Sequence, residues 1–593
     1  MPLVFVSGSH VDAISSVMNR VEQAFLDLGF KSLSTRRHND TLGVLVFPRE
    51  CRAGSPARTT AVGTLHTYGF ATSDLDDESV GRTLDGDIAG FEQLGRSLDG
   101  PFLLALESAS RVRLVTDRMG ACHSFVAKID GTLVVSTAAL PLARAMAASL
   151  DPHSVREFLA AGSVFGNRTL FEGVQKLDAG TVLNLELGQL TAIGQWFRLS
   201  DILFDRLATG TAERWADEMV TAMRRIAVAV PHPVLDLTGG FDSRGVLAAA
   251  LAAGMNVTTV TNGEPASGDI VAAANIARAF GLTHHAAYAA GEDDTYSPAR
   301  LANALRLSDG EIDVFLGSPV AVTQERNALR GEGSIQGSCG EFARAYWWDL
   351  VQGGPRTRGV IDVRSVAERR FASDTWAEGL LTGRSGSLVD HFAALVDDSI
   401  ADIRDLPQVA QADAIYIRMR MQRWGGRYLS VTLRQTHSIV PFAFLGPMRE
   451  ALSAPPGIRR GDRMPRLLIN RLNPALAALP LDSGAPACPI TLASIHRFAP
   501  LLGLYGGKVI NRLRRMAGSP PPPQAPAPAV LNAIQRADIR GVFDHKSMAS
   551  GSLYDPNALA TWISGAFTPS RPKVRSIARL LTVEMAARAA RGR

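Results

Sequence analysis

The first 200 residues alternate apolar and polar positions with a period near two. This alternation is typical of β-strands, whose successive side chains point to opposite faces. Strands are predicted at residues 43–47, 102–106, 111–115 and 133–136. Helical periodicity interrupts them at 11–28 and 141–148. The N-terminal third is therefore predicted to be an α+β unit of short strands with a few helices.

From about residue 205 the pattern changes to short apolar runs that are each followed by a longer helical stretch. Strands are predicted at 233–235 and 255–261, with helices at 245–251 and 270–280. Strands that alternate with helices indicate an α/β, doubly wound parallel sheet. Ligands of such sheets bind at the carboxyl ends of the strands. Residues 238–243 and the loop 261–269 are thus expected on the same rim.

The turn after the first of these strands carries the candidate chemistry. Residues 236–244 read Asp-Leu-Thr-Gly-Gly-Phe-Asp-Ser-Arg. Glycines let the backbone approach an anion, and the free N–H groups at the start of a helix point towards it. The carboxylate of Asp242 would repel a phosphate unless a cation, predicted to be Mg²⁺, bridges the two. The pattern lacks the Lys-Ser/Thr of a Walker loop.

Composition narrows the class of protein. The chain has 593 residues, enough for two to four domains, and is 46% hydrophobic and 20% charged, as in ordinary globular proteins. No apolar run is long enough to span a membrane, and no signal peptide is evident. The four cysteines show no paired spacing. A cytoplasmic protein is expected, and a net charge of +5 gives little reason to expect a nucleic-acid or membrane partner.

Residues 238–243 resemble the Ser-Gly-Gly-x-Asp-Ser pyrophosphate loop of the asparagine synthetase-like family, with Thr238 keeping the first hydroxyl. Residues 98–102, 117–120 and 135–138 resemble landmarks of a class II glutamine amidotransferase domain. The resemblance implies an Ntn-hydrolase-like sandwich, followed by a PP-loop ATP pyrophosphatase domain that uses ATP and Mg²⁺. The domains predicted on this basis are 1–200, 205–515, a Pro-rich linker at 516–530 and a helical tail at 531–593.

The chain departs from that family at its proposed glutaminase site. A glutaminase of this class needs a cysteine directly after the initiator Met, so that its α-amino group can act as the base. Position 2 is Pro2, and the first cysteine is Cys51. The sandwich is therefore expected to release no ammonia from glutamine.

Residues 334–341, Ser-Ile-Gln-Gly-Ser-Cys-Gly-Glu, resemble the family's second phosphate loop, Ser-Gly-Glu-Gly-Ser-Asp-Glu. Gly340 takes the place of the first acid, so Glu341 is left as the metal ligand that the resemblance implies. Cys339 is interpreted as a small buried residue, with a nucleophile as the alternative. The acidic stretch 307–313 is either part of a substrate pocket or a solvated loop.

Two arginines complete the predicted site. Arg344 is an added cation that could meet phosphate, and Arg466 lies where the family has a lysine. Since arginine stays protonated, Arg466 would act as a clamp rather than a base. The predicted catalytic residues are Asp242, Glu341, Arg344 and Arg466, with Asp242 and Glu341 as the metal ligands. The predicted nucleotide-binding residues are Thr238, Gly239, Gly240, Asp242, Ser243, Thr261, Gly337 and Ser338.

The resemblance implies a ligase that adenylates a carboxylate, releases pyrophosphate, and then joins the acyl group to an amine with loss of AMP. The branch it resembles, with β-lactam synthetases and lasso-peptide cyclases, lacks the glutaminase cysteine. The expected partners are a small-molecule or peptide carboxylate, an amine, and a biosynthetic partner protein. The alternative is a non-catalytic protein that binds nucleotide or a partner. A PP-loop enzyme acting on tRNA is a third interpretation, which would need a basic surface.

Overall fold

The structure is a computed structural model. It describes residues 2–592 except 52–56, 87–89, 91–93, 95–96, 264–266, 288–292, 373–375, 383–385, 502–527 and 569–571. Most of the predicted Pro-rich linker at 516–530 lies outside the described residues, and its last three residues begin the helix Pro528–Gln535.

Two antiparallel six-stranded sheets form the N-terminal part of the described chain. The first has the strand order β10-β8-β9-β1-β3-β2, with β1 Leu3–Ser7, β2 Thr35–His38, β3 Leu42–Val46, β8 Phe125–Ile129, β9 Thr132–Ser136 and β10 Val174–Lys176. The second has the order β12-β11-β7-β6-β5-β4, with β4 Arg58–Thr60, β5 Gly63–Gly69, β6 Phe102–Glu107, β7 Arg111–Thr116, β11 Thr181–Glu186 and β12 Gln189–Gln195.

The alternation within β1 shows how these sheets stack. Leu3 and Phe5 pack between the two sheets, whereas Val4 and Val6 pack on the other face, in one core with residues of the helices Val11–Asp27 and Ala139–Ala145. The outer face of the second sheet packs on the helix Asp77–Asp85. Both faces of β1 are buried, which is consistent with the four successive apolar residues from Leu3 to Val6 in this strand. The result is a four-layer helix–sheet–sheet–helix sandwich.

A five-stranded parallel sheet follows. Its order is β15-β14-β13-β16-β17, with β13 Val234–Asp236, β14 Thr258–Asn262, β15 His284–Ala287, β16 Gly333–Ile335 and β17 His437–Ile439. The helix Phe241–Ala252 connects β13 to β14, and the helix Gly268–Phe280 connects β14 to β15. The expectation of an α+β unit followed by an α/β unit with a parallel sheet is confirmed at this coarse level.

The remaining α-helices of the described chain are Pro152–Ala161, Ala212–Ala229, Pro298–Ser308, Val314–Arg330, Val363–Arg370, Leu388–Asp398, Gln408–Ile415, Gly426–Leu433, Leu445–Leu452, Pro456–Arg459, Arg463–Leu472, Pro474–Ala478, Ala537–Gly541, Pro556–Ala566 and Val574–Arg591. Short 3₁₀ turns lie at Leu199–Ile202, Asp293–Tyr296, Gly340–Ala343, Trp348–Leu350, Pro441–Ala443, Arg460–Asp462, Ile495–Phe498 and Gly551–Leu553. The segment Tyr416–Gly425 is a π-helix inside one continuous helical run. We call it the π segment.

The C-terminal helix Val574–Arg591 is buried rather than peripheral. Arg579 donates to the carbonyl of Leu159 at 2.8 Å, and Arg144 donates to the carbonyl of Ala589 at 3.0 Å. On its other side, the Thr582 hydroxyl accepts from the N–H of Val314 at 3.0 Å. The tail thus packs on the sandwich as well as on the helices that precede β16.

The acidic stretch 307–313 is neither a solvated loop nor open to a pocket. Asp309 and Glu311 are 0% and 3% exposed, and both pair with Arg427, through contacts of 3.0 Å and 2.7 Å. Arg434 donates to Asp309 at 2.6 Å and to the carbonyl of Thr137 in the sandwich at 3.1 Å. Burial disfavours the Glu311 carboxylate, but Arg427 and Arg423 outweigh burial, so the pKa of Glu311 is held well below its usual range. We call Asp309, Glu311, Arg427 and Arg434 the buried ion cluster.

Replacing Asp309 by Asn should destabilise the fold strongly, because it leaves Arg434 buried without its counter-charge and leaves Arg427 with Glu311 alone. We expect a loss of about 3–5 kcal/mol, as for other broken buried ion pairs. Asp390→Asn is the control, since its pair with Arg364 is solvent-exposed and should contribute little to stability. Denaturant unfolding of the two variants measures the difference. Equal effects would contradict a structural role for the cluster.

Candidate functional site

The candidate site lies where the strand order of the parallel sheet reverses. Strand β13 pairs with β14 on one side and with β16 on the other. The chain leaves β13 through residues 237–240 and leaves β16 through residues 336–339, so both loops start at the carboxyl ends of neighbouring strands. Ligands of open α/β sheets bind at this kind of crevice. The structure therefore brings the two predicted phosphate loops together.

The first loop, Thr238–Ser243, is held by its own polar groups. The Thr238 N–H donates to the Ser243 hydroxyl at 2.9 Å, and the Gly240 N–H donates to the Thr238 hydroxyl at 3.2 Å. The Gly239 N–H donates to the carboxylate of Asp269 at 2.8 Å. A phosphate that bound here would therefore have to exchange with these acceptors, among them one carboxylate. No side chain caps the helix Phe241–Ala252 at Gly240, so an anion could cap its first turn.

Two glycines of the second loop pack directly on the first loop. A Cβ at Gly337 would lie 2.7 Å from the backbone nitrogen of Ser243. A Cβ at Gly340 would lie 2.5 Å from Asp242 Oδ1 and 2.6 Å from its Cγ. Real Cβ atoms do not approach other atoms so closely, so these positions accept no side chain without rearrangement. The acid expected by resemblance at position 340 has no room in this arrangement.

Asp242 faces a cation and a second acid. Arg344 Nη2 lies 2.5 Å from Asp242 Oδ2. Burial raises the pKa of Asp242 to about 7, Arg344 opposes the shift, and the neighbouring Glu341 adds to it. Glu341 Oε2 is buried and has no hydrogen-bond partner among the described residues. Two carboxylates and one guanidinium thus share the space beneath the loops.

These residues fit a magnesium ion only if the substrate supplies further ligands. The described residues contain no group of three or more His, Cys, Asp or Glu side chains that could hold a metal. Mg²⁺ is often held by one or two carboxylates together with substrate phosphates and waters. Asp242 and Glu341, with its unsatisfied oxygen, fit a magnesium ion that arrives with a triphosphate, not a resident ion.

Cys339 occupies the turn between the two glycines. It has a left-handed backbone with φ 71° and is 2% exposed. Burial raises the pKa of the Cys339 thiol well above its usual value. This environment favours a protonated, buried thiol over a nucleophile.

The remaining predicted residues have structural contacts. Arg466 donates to the carbonyls of Pro486 at 2.7 Å and Cys488 at 3.0 Å, and it stacks between the rings of Phe241 and Phe498. The Thr261 hydroxyl donates to the carbonyl of Leu237 at 2.6 Å, and Ser338 is half-buried in the turn. Arg466 therefore holds the 486–488 loop in this structure.

Sequence reasoning missed Arg244 and Asp482. Arg244 is fully buried and donates to the carbonyls of Leu479 at 2.7 Å and Pro480 at 2.8 Å. This positions Asp482, whose N–H donates to the Gly239 carbonyl at 3.2 Å. A Cβ at Gly239 would meet Asp482 at 2.9 Å. The available signal was an arginine directly before the apolar residues 245–252 of the helix, but its acceptors are more than 230 residues away.

A cavity of about 360 Å³ opens on the same rim. Its polar wall consists of Asn262 after β14, Gln336 after β16, and Thr323 and Gln324 on the helix Val314–Arg330. The side-chain oxygen of Gln324 is buried without a hydrogen-bond partner among the described residues. Amides and hydroxyls with no charged group in the wall suit an uncharged polar group. We call this the amide-lined cavity.

The residues that resemble amidotransferase landmarks have structural partners. Asp99 pairs with Arg118 at 2.9 Å and with Arg225 at 2.6 Å. Asp117 accepts backbone N–H groups from Met119, Ala121 and Cys122 at 2.8–3.1 Å. Between Asp117 and Cys339 lies a cavity of only about 10 Å³. We call it the narrow cavity.

Comparison with known proteins gives one relative of low identity. No family model matches the chain. The carboxyethyl-arginine beta-lactam-synthase of Streptomyces clavuligerus is 30% identical over 177 residues, which is 29% of this chain and 32% of that protein. The chain thus matches about a third of the length of this curated relative. The expected likeness to the β-lactam synthetase branch is present as a distant similarity over part of the chain.

Two solved structures match part of the chain at low identity. One is a glutamine phosphoribosylpyrophosphate amidotransferase from B. subtilis complexed with ADP and GMP, at 11% identity, covering 48% of this chain and 65% of its own. The other is an allosteric regulatory enzyme of purine biosynthesis, at 10% identity, covering 48% of this chain and 80% of its own. Both have a TM-score of 0.22, too low for any inference about function. Among the described residues, no helix is both long enough and apolar enough to cross a membrane.

Gly337→Ala should destabilise the junction of the two loops. The new Cβ meets backbone atoms, which cannot rotate away, so we expect a loss of about 1–3 kcal/mol. Gly565→Ala is the matched control. This glycine lies within the helix Pro556–Ala566, and a Cβ there would have no neighbouring atom within 4 Å, so alanine should stabilise by about 0.5–1 kcal/mol. The denaturant midpoint should fall in Gly337→Ala and rise in Gly565→Ala. An unchanged midpoint in Gly337→Ala would contradict the close packing of the loops.

Proposed function

We propose that this protein is an ATP-dependent amide-forming ligase that works without its own glutaminase. It adenylates a carboxylate with release of pyrophosphate, and an amine then displaces AMP. The observation that carries the proposal is the close packing of two glycine-rich loops around Asp242 at the strand-order reversal of a parallel sheet. The similarity to a beta-lactam-synthase over 177 residues supports the same reaction class.

The chain's residues would divide the work as follows. Asp242 and Glu341 would hold a magnesium ion that comes with ATP, and this ion would supply charge neutralisation on the departing pyrophosphate. Arg344, released from Asp242, would bind a phosphate oxygen. The N–H groups of residues 238–243 would contact the same phosphates. The amide-lined cavity would receive the nucleoside. It lies next to the second loop, because its wall residue Gln336 directly precedes Gly337.

Two observations support an external source of the amine. The narrow cavity between the sandwich and Cys339 holds about 10 Å³, which is room for about one water molecule rather than an open passage. Burial also raises the pKa of the Cys122 thiol well above its usual value and raises that of Cys51. Neither thiol is a ready nucleophile. The amine would therefore come from solution or from the substrate itself.

A second candidate is a non-catalytic nucleotide-binding protein. Three observations favour it: Gly340 replaces an acid, Arg344 already neutralises Asp242, and Arg466 is bound to backbone carbonyls. In such a protein the guanidinium of Arg344 would neutralise the negative charge of Asp242 in place of a metal ion. ATP would bind, but no pyrophosphate would leave.

Pyrophosphate release from the full-length protein with Mg²⁺, ATP and a panel of carboxylates separates the two. The ligase should release pyrophosphate, and Asp242→Asn should reduce the rate by roughly 100-fold, the scale for losing one charge-stabilising group. Asp390→Asn, an exposed acid, is the control and should keep the full rate. Thermal stabilisation by ATP without pyrophosphate release would support the second candidate. The absence of both responses would contradict both.

A further inference from the structure

A further cavity, of about 860 Å³, lies on the side of the π segment opposite the narrow cavity. Its walls come from the sandwich edge at β11 and β12, from residues 165–167, and from the helical residues 395–402 and 418–423. Its volume falls within the range of small-molecule sites. Neither the resemblance nor the proposed reaction gives this cavity a role. We call it the sandwich-edge cavity.

Lys176 on its wall is unusual for this chain. The sequence has six lysines among 62 Lys and Arg residues, and none between 177 and 507. Of the described lysines, only Lys176 is buried, at 6% exposure. Its Nζ donates to the Leu177 carbonyl at 3.2 Å, and Gly120 leaves it room, since a Cβ there would lie 3.2 Å away. One acceptor for three donors leaves hydrogen-bonding capacity for a ligand.

Arg423 lies beside it on the π segment and is 3% exposed. Its Nε donates to the Val164 carbonyl at 2.7 Å, and its Nη2 donates to the Arg168 carbonyl at 2.8 Å. Its Nη2 also lies 3.6 Å from the carboxylate of Glu311, so the buried Nη1 is the donor of Arg423 that is left without a partner among the described residues. A buried charged donor without an acceptor is costly, so an acceptor supplied by a ligand would be favourable.

The other two arginines of the wall are paired with acids. Arg418 pairs with both oxygens of Asp402 at 2.6 Å and 2.9 Å, and Arg118 pairs with Asp99 at 2.9 Å. Burial and the adjacent charge of Arg423 together lower the pKa of Lys176 to about 8, against the opposing charges of Asp117, Asp178 and Glu311. Two neighbouring cations that disfavour each other attract an anion between them.

We propose that the sandwich-edge cavity is a second binding site, for a small molecule with a carboxylate or phosphate group held by Lys176 and Arg423. The apolar part of the molecule would pack on Phe165, Phe197 and Met419, which line the same cavity. Aromatic and thioether surfaces suit a flat or hydrocarbon body. This site does not depend on the proposed ligase reaction.

The ligand is separate from the nucleotide. The π segment and the turn 117–121 lie between the sandwich-edge cavity and Cys339, and the narrow cavity of about 10 Å³ lies beside Cys339. A molecule in the larger cavity therefore cannot reach Asp242. Long π segments are rare and occur mostly at functional sites, and this one contributes wall residues to both cavities.

Pyridoxal 5′-phosphate is a suitable probe, because it combines an aldehyde, an aromatic ring and a phosphate. The neutral Lys176 amine attacks the aldehyde and expels water, and borohydride reduces the imine to a secondary amine that peptide mass spectrometry locates. We expect Lys176 to be labelled before the exposed lysines Lys31, Lys128, Lys546 and Lys573. Pyridoxal, which lacks the phosphate, should label it about tenfold less, the scale of one lost hydrogen bond to a charged group.

Binding can also be measured without imine formation, which allows variants that lack the reactive amine to be compared. Titration calorimetry with pyridoxine 5′-phosphate should show binding. Lys176→Met should weaken this binding by about tenfold or more, which is the scale of one lost hydrogen bond to a charged group. The exposed-site control Lys128→Met should bind like the natural protein. Adding Mg²⁺ and ATP should not compete.

Four results would each overturn the proposal, and the first three concern labelling and binding. They are labelling of exposed lysines with none at Lys176, equal labelling by pyridoxal, and calorimetric binding unchanged in Lys176→Met. Protection of Lys176 by ATP would also overturn it, because the anion site would then belong to the nucleotide. Failure of pyrophosphate release alone would leave these readouts intact, so the two proposals fail separately.

Discussion

The fold depends on a set of charges that have no contact with water. Asp309 and Glu311 meet Arg427 and Arg434 at less than 4% exposure. Removing these charges from water is costly, and the cost is offset only when every partner is in place. Asp309 also accepts the N–H of Leu140, and Arg434 donates to the carbonyl of Thr137. The same ion pairs thus join the sandwich to the helical run that contains the π segment, and so fix the walls of both cavities beside it.

A comparable constraint governs the candidate nucleotide site. The loops after β13 and β16 approach each other as closely as backbone allows, because Gly337 and Gly340 carry no side chain. In this structure two groups of the site already have partners: Asp242 pairs with Arg344, and the Gly239 N–H donates to Asp269. A nucleotide would have to exchange these contacts for its own. Whether the binding energy then stabilises a transition state or only a complex is the difference between the two functions considered.

Local patterns predicted the elements well, since period-two and helical periodicity report which faces become buried. The strand predicted at 111–115 is Arg111–Thr116, and the helix predicted at 270–280 is Gly268–Phe280. The acidic stretch 307–313 was predicted poorly, because both interpretations assumed that acids remain near solvent. Its partners are arginines more than 110 residues away, and no local pattern records such a pairing. For Arg466, the resemblance assigns a position, but it does not give the carbonyl groups to which the guanidinium donates.

The sequence by itself determined the order of the sheets and the strand–glycine turn–helix unit at residues 234–252, because these follow from periodicity, turn chemistry and adjacent residues. Its resemblance to the second phosphate loop also implied that Gly340 stands in place of an acid. Only the tertiary structure decided which charges neutralise one another, that the C-terminal helix is buried against the sandwich, and that Lys176 and Arg423 share a cavity. Those outcomes depend on side chains far apart in the chain, and their burial sets their energies.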